Sequence, residues 1–343
     1  MQTERPLLVL GIETSCDETA AAVVQDGYIV LSNVIASQID VHKIFGGVVP
    51  EIASRHHLTT INKVVEASLE EAGVSMQEID AVAVTKGPGL VGAVLIGLAT
   101  AKAMAFALGK PLIGVNHIRG HICAALLEYP ELKPPFLALV VSGGHTSLVD
   151  VCGLSGKSGE MTVLGSTRDD AVGEAYDKVA RMLGLGYPGG PHIDALAKQG
   201  KAGAVVFKRV MLEEGSLDFS FSGIKTGTLN HINSMKQAGR PLRKADIAVG
   251  FQEAVIDVLS AKAKMGLALT GYRTLAIVGG VAANSALRER MRKDTEQLGI
   301  KLCIPSSVFC TDNAAMVAGA GYYQYLAGLT DTLDLDAFAS LSL

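Results

Sequence analysis

Two stretches of this chain follow one plan, and that repetition limits the possible folds more than any other feature. Residues 7–12 are apolar, the chain breaks into Glu-Thr-Ser-Cys-Asp-Glu-Thr (13–19), and residues 20–24 resume the apolar run. After Phe136 the pattern returns: 137–141 apolar, Ser-Gly-Gly-His-Thr-Ser (142–147), then a mainly apolar run, Leu-Val-Asp-Val, over 148–151. A strand–polar turn–strand unit opening each half predicts an internal duplication. Between these units, short apolar runs alternate with longer helical patterns, which reads as α/β. The 343 residues suit about two domains at roughly 100–200 residues each. We place an N-terminal α/β domain over 1–134, a C-terminal α/β domain with insertions over 135–328, and a tail over 329–343.

Composition narrows the classes. Hydrophobic residues make up 49% of the chain, enough for a large core and too many for a disordered tail protein. A net charge of −4 is no electrostatic footprint for a lone nucleic-acid binder. The cysteines at 16, 123, 152, 303 and 310 include no C-x-x-C pair, so neither a disulfide framework nor a thiolate zinc site is encoded. Residues 7–10 are too short an apolar run for a secretion signal. The stretch 87–109 is interrupted by Lys102 and by glycines, so it reads as a buried helix rather than a span. The expectation is a cytoplasmic protein that does not engage a membrane.

Several residues could carry chemistry. Asn116 is a good N-cap for a helix over 117–127, which sets His117 and His121 one turn apart beside its apolar face. Two imidazoles at that spacing can ligate one divalent metal, or they can be plain surface or capping histidines. The Glu that follows the first His in a metalloprotease helix is missing. Asp312 precedes another helical pattern and is either a third ligand or its cap. Two His and one carboxylate suit ferrous iron, with zinc the competitor. Glu13, Asp17 and Glu18 crowd the first turn, as a cleft edge facing a metal or amine, or as a solvated turn. Cys16 reads as small buried packing. A strand over 275–278 ends in Gly279-Gly280, and Asn284 opens a helix over 285–298, an arrangement suited to nucleotides. It is not a Walker A loop. Helical spacing also marks 49–72, with Leu58, Ile61, Val65 and Leu69 on one face, and 166–183, where Asp170, Glu174 and Asp177 share a side. Acids beside Tyr-Pro-Gly-Gly-Pro (187–191) suit ribose hydroxyls, or merely make an amphipathic helix. Basic residues gather at 208–209, 236–244 and 288–293, as phosphate contacts or as solvated faces.

Taken together the motifs are specific. Gly-Ile-Glu-Thr-Ser-Cys-Asp-Glu-Thr (11–19), Gly-Gly-Val-Val-Pro-Glu (46–51), Gly-Pro-Gly-Leu-Val-Gly (87–92), His-Ile-Arg-Gly-His (117–121) and Val-Ser-Gly-Gly-His-Thr (141–146) occur in order. Tyr-Pro-Gly-Gly-Pro (187–191), Phe-Ser-Phe-Ser-Gly-Ile-Lys-Thr (219–226), Gly-Gly-Val-Ala-Ala-Asn (279–284) and Cys-Thr-Asp-Asn (310–313) follow. Over residues 7–327 the chain resembles the TsaD family of tRNA adenosine threonylcarbamoyltransferases, formerly called O-sialoglycoprotein endopeptidases. One position departs: Arg119 stands where the family's H-x-E-G-H carries Glu.

The resemblance implies an actin-like/sugar kinase/Hsp70 (ASKHA) fold, two duplicated α/β domains with a nucleotide cleft between them. It implies transfer of a threonylcarbamoyl group from threonylcarbamoyl-AMP to the exocyclic amine of the adenine beside the anticodon, in tRNAs reading codons that begin with adenine. It implies that His117, His121 and Asp312 bind one Fe2+, with zinc or magnesium as substitutes. It assigns adenylate contacts to Val140, Val141, Ser142, Gly143, Gly144, Asp177, Gly190, Asp194 and Asn284, and it implies TsaB-like and TsaE-like partners. The adenine amine must lose a proton, and we take Glu13 or Asp17 as the acceptor. Two rival readings, a metallopeptidase and a non-catalytic nucleotide-binding regulator, explain fewer of these motifs.

Overall fold

The computed structural model describes residues 5–211 and 213–343. Strands β1 (Leu8–Glu13), β2 (Glu18–Gln25) and β3 (Ile29–Ser37) form an antiparallel meander. Helices α1 (Ile39–His42) and α2 (Pro50–Ala72) lead to β4 (Ala81–Gly87), and α3 (Val91–Leu108) leads to β5 (Leu112–Asn116). β4 runs parallel to β1 and β5 parallel to β4, giving the order β3-β2-β1-β4-β5. Helix α4 (His117–Glu128) follows.

The second half repeats the plan. β6 (Phe136–Val141), β7 (Thr146–Val151) and β8 (Met161–Ser166) form the meander. Helices α5 (Val172–Met182), α6 (Gly189–Ala197), α7 (Ser222–Gln237) and α8 (Lys244–Thr270) intervene before β9 (Thr274–Val278). Then come α9 (Ser285–Leu298), β10 (Lys301–Cys303), α10 (Ser307–Cys310) and α11 (Ala314–Leu326). The order β10-β9-β6-β7-β8 is the first sheet's order with the same strand directions, so the expected duplication is present. β1 and β6 are buried along their whole length, as central strands covered on both faces must be.

Three expectations need correction. Leu58 is 64% exposed rather than part of the inner face of α2. His57 takes the inward position instead, bonded to Thr19 Oγ1 at 2.8 Å and to the Cys16 carbonyl at 3.0 Å. Helix α3 starts at Val91 and is only 33% buried. Its small residues Ala93, Gly97, Ala101 and Ala105 face inward, while Val91, Leu95 and Phe106 are exposed. Finally, α11 does not pack with the second domain to which 135–328 assigned it. Its small side chains join Val9, Ala20, Ala83 and Ile113 in the core of the first sheet. Helix α4 bridges the halves, with Cys123, Ala124 and Leu127 on that core and Ile118, Ile122 and Ala125 on the second sheet's.

Gly11 permits the return of α11. A Cβ there would strike the Ala314 carbonyl and stand 2.7 Å from Ala318 N. Neither backbone group can yield without shifting the helix that begins two residues after Asp312. Gly11→Ala is therefore expected to cost about 1–3 kcal/mol of overpacking strain, measured as a lower denaturation midpoint. An unchanged midpoint would show that α11 is not held this closely.

A candidate metal centre and the cavity next to it

Strand β5 ends at Asn116, whose Oδ1 accepts the N–H groups of Ile118 at 2.9 Å and Arg119 at 3.3 Å. This cap starts α4 at His117 and sets His121 one turn on, with ring centroids 4.6 Å apart. On the facing segment Asn313, not Asp312, caps α11, its Oδ1 accepting from Met316 N at 3.0 Å. The Asp312 carboxylate is thereby released toward the histidines. Its Oδ1 lies 3.1 Å from His121 Nε2 and 3.6 Å from His117 Nε2, and donor atoms of all three fall within 4.8 Å of one another. His121 is fully buried, yet neither ring nitrogen makes a hydrogen bond. A buried polar atom left unpaired costs about 1–3 kcal/mol. A cation accepting a lone pair at this point removes that cost at Nε2, so the residues present fit a metal.

Glu13 supports the arrangement from behind. It is fully buried and accepts from Thr85 Oγ1 at 2.6 Å, from Ser15 N, and from His117 Nδ1 at 3.1 Å. A carboxylate on Nδ1–H leaves Nε2 as the free nitrogen, the second-shell pattern of ligating histidines. Burial opposes the charged ring, but Asp312 and Glu13 carry His117 up to about 9. Burial likewise opposes the charge on Asp312, but His117 and His121 hold it down to about 2. Burial, with His117 and His121 nearby, pushes His145 down to about 4, so that ring is neutral. Burial and the neighbouring Asp17 push Glu18 up to about 10 and raise the Cys16 thiol well above its ordinary range. Cys16 is thus no thiolate nucleophile. Arg119 Nη1 lies 4.0 Å from Glu160 Oε2 in the β7–β8 connection.

Beside the cluster lies a cavity of about 510 Å³. Of the expected adenylate residues, Gly143, Asp177, Gly190, Asp194 and Asn284 line it. Val140 and Val141 do not, because their side chains are sealed in the two cores of the second half. Ser142 spends its N–H on the His145 carbonyl at 2.8 Å, while Gly144 is exposed on the same turn. Asp177 accepts the Gly189 N–H at 2.6 Å, and burial raises its carboxyl above the ordinary range. Asp194 accepts from Ser285 Oγ at 2.8 Å. Asn284 caps α9 through Leu287 N at 2.9 Å and donates to Gln252 Oε1 at 2.8 Å. Asp170 is absent from the cavity, being tied to Lys178 and Lys225. Sequence reasoning missed Tyr187, Lys198 and Thr311 as lining residues. Lys198 sits one turn after Asp194, which was the available signal. Asp17 lies behind the lining residue Tyr187, accepting from its hydroxyl at 3.5 Å.

Adjacent glycines separate packing from binding. A Cβ at Gly189 would lie 2.7 Å from Asp177 Cα, whereas one at Gly190 meets nothing within 4 Å. Gly190→Leu is expected to fill the cavity and weaken adenylate binding at least about tenfold, the effect of a misplaced methylene or more, with stability preserved. Gly189→Ala is expected to lower stability by about 1–3 kcal/mol. Titration calorimetry and denaturation of the two variants check this, and unchanged affinity in Gly190→Leu would move the adenylate elsewhere.

A duplicated five-stranded unit, with a cavity whose lining reaches Thr311, the residue before Asp312 of a two-histidine, one-carboxylate cluster, defines an actin-like α/β fold with a candidate metal centre. Solved structures agree on the fold. Full-length HypF in its phosphate- and nucleotide-bound form matches with TM-score 0.63 at 14% identity, covering 94% of this chain and 46% of that one. Component A of the Acidaminococcus fermentans (R)-2-hydroxyglutaryl-CoA dehydratase matches with TM-score 0.51 at 14% identity, covering 93% and 99%. Within that class the chain belongs to the TsaD family, the tRNA N6-adenosine threonylcarbamoyltransferases, whose family model matches residues 29–319. The Clostridium beijerinckii protein of that name is 54% identical over 336 residues, 98% of each chain. The Clostridium perfringens proteins are 53% identical over the same coverage. The chain is accordingly a transferase of tRNA threonylcarbamoylation.

Proposed function

We propose that the donor is threonylcarbamoyl-AMP and the acceptor the exocyclic amine of adenine 37, beside the anticodon, in tRNAs reading codons that begin with adenine. One observation carries this reading: Thr311 lines the cavity, and the next residue, Asp312, belongs to the ligand cluster. An adenylate held by Asp177, Gly190 and Asp194 thus has its reactive end beside the histidines.

In this reading the amine lone pair attacks the carbamoyl carbon. The bond from that carbon to the phosphate oxygen breaks, AMP leaves with the electron pair, and the nitrogen sheds a proton. Gly143 and Gly144, exposed on the β6–β7 turn, offer backbone N–H groups to the phosphate. His117, His121 and Asp312 would hold the metal, whose chemistry is Lewis-acid stabilisation of the departing charge. We take it to be Fe2+, with zinc or magnesium able to substitute. Asp17, which accepts from the lining residue Tyr187, is our candidate to receive the proton. Glu13 is not, since it is sealed from solvent and already accepts from three donors.

With a net charge of −4, tRNA docking falls to TsaB-like and TsaE-like partners in the cytoplasm. The exposed Val91, Leu95 and Phe106 of α3 offer such a protein an apolar surface. Incubating the chain and its partners with threonylcarbamoyl-AMP and tRNA is expected to yield threonylcarbamoyladenosine by nucleoside mass analysis, with one AMP released per modification. Unmodified tRNA under those conditions would overturn the reading.

A further inference from the structure

Beyond α11 the chain returns along the edge of the first sheet. Asp331 bonds Leu112 O through its N–H at 2.8 Å and receives the Gly114 N–H on Oδ2 at 2.8 Å. Phe338 N–H reaches Lys86 O at 2.8 Å, and the Ala339 carbonyl accepts from Gly89 N at 3.3 Å. The carbonyls of Leu341 and Ser342 then accept from Asn116 Nδ2, at 3.5 and 3.0 Å. This path also explains a motif that the transfer reaction leaves unused. In Gly-Pro-Gly-Leu-Val-Gly (87–92), a Cβ on Gly87 would strike the Phe338 carbonyl, so the glycine makes room for the tail.

Those contacts close a ring. Gly89 is held by the tail, and its neighbour Leu90 donates its N–H to Ser15 O at 2.9 Å. Ser15 Oγ in turn lies 3.2 Å from His117 Nδ1. On the other side the tail holds Nδ2 of Asn116, whose Oδ1 caps α4 immediately before His117. The cap alone engages one end of the Asn116 amide, and the tail fixes the other.

We propose that residues 338–342 are a working part of the metal centre, and that Asn116 is a positioning residue through which they set His117. The inference rests on His117, His121 and Asp312 being metal ligands. A ligand set binds tightly only when its members are held within about 0.5 Å of the required geometry. A two-sided grip on the first ligand's backbone and ring supplies that restraint, and without it the cap can rock and carry His117 with it.

The test uses zinc ion alone, with affinity read by chelator competition on metal-stripped protein. Asn116→Ser keeps a good cap and the local charge but is too short to reach the tail. A chain ending at Asp336 removes the acceptors and leaves Asn116 intact. Each is expected to lose about tenfold in zinc affinity, the low end for outer-shell partners. The double variant should lose no more than the shortened chain alone, because that chain already lacks the acceptors of Asn116 Nδ2. The absorption bands of bound Co2+ should shift alike in all three, a signature that general loosening of the fold would not produce. Unchanged affinity in both single variants, or additive losses in the double one, overturns the proposal. If the shortened chain fails to fold, Asn116→Ser in the full chain decides alone. His117→Ala with His121→Ala is the control. Should that variant keep its metal, the ligand assignment fails rather than the role of the tail.

Discussion

Alanine at both His117 and His121 is expected to take stoichiometric metal binding from one equivalent to none and to leave the chain folded. The histidines supply two of three converging donors, and Asp312 alone cannot retain a transition metal against a chelator. The fold survives because little is lost with them. His121 buries two nitrogens that make no hydrogen bond, so its removal deletes an unfavourable burial together with its packing. Glu13 keeps the Ser15 N–H and the Thr85 hydroxyl when His117 is gone. Transfer should fall by about 10²-fold or more, since a Lewis acid at the leaving charge contributes several kcal/mol. Metal analysis of the purified variant decides the matter, and unchanged metal content sinks the assignment.

The same substitution has a pH signature in metal-free protein. His117 rises from an ordinary 6.5 to about 9 on folding, so its charged pairing stabilises fully below 6.5 and fades as pH climbs through 9. Asp312 drops from 3.8 to about 2, so its contribution is present above 3.8 and fades as pH falls through 2. The stability gap between wild type and double variant should therefore be widest between about pH 4 and 6.5. A gap that does not narrow as pH climbs from 6.5 through 9 or falls from 3.8 through 2 would mean the imidazolium–carboxylate pairs are not formed.

What could be read from the sequence was local. The duplicated strand–turn–strand plan, the helix starting at Asn116 and the i, i+4 histidines all follow from residues within a few positions of one another. Asp312 stayed ambiguous because a cap and a ligand look alike in sequence. The structure resolves it by giving the cap to Asn313. Helix α11 was placed with the wrong sheet because its small apolar residues suit either one. Only the close approach at Gly11, a contact across some three hundred residues of chain, decides between them. Glu13 was read as a candidate base for a similar reason. Its partner His117 is 104 positions away, and no spacing rule connects them. Val140 and Val141 were carried over with the glycine turn they precede, but alternation along β6 sends their side chains into opposite cores.

That reassignment of Glu13 makes the second large effect separable from its rival. In Glu13→Gln an amide nitrogen stands among three donors, and next to His117 it offers N–H where a carboxylate accepted one. The imidazole then favours its proton on Nε2, the nitrogen that faces Asp312, and must surrender it to bind metal. Zinc affinity should fall about 10–100-fold, while single-turnover transfer at saturating metal and adenylate stays within about tenfold of wild type. A general base behaves oppositely: its loss costs about 10²–10⁴-fold in rate and no added metal restores it. Asp17→Asn is expected to show that second pattern, with zinc affinity unchanged. If Glu13→Gln binds zinc normally yet transfers about 10² or more times slower, then Glu13 is the proton acceptor after all and its buried contacts must open during turnover. If both variants transfer within about tenfold of wild type, neither carboxylate takes the proton. The acidic turn then serves only to hold His117 and to close the cavity against Tyr187.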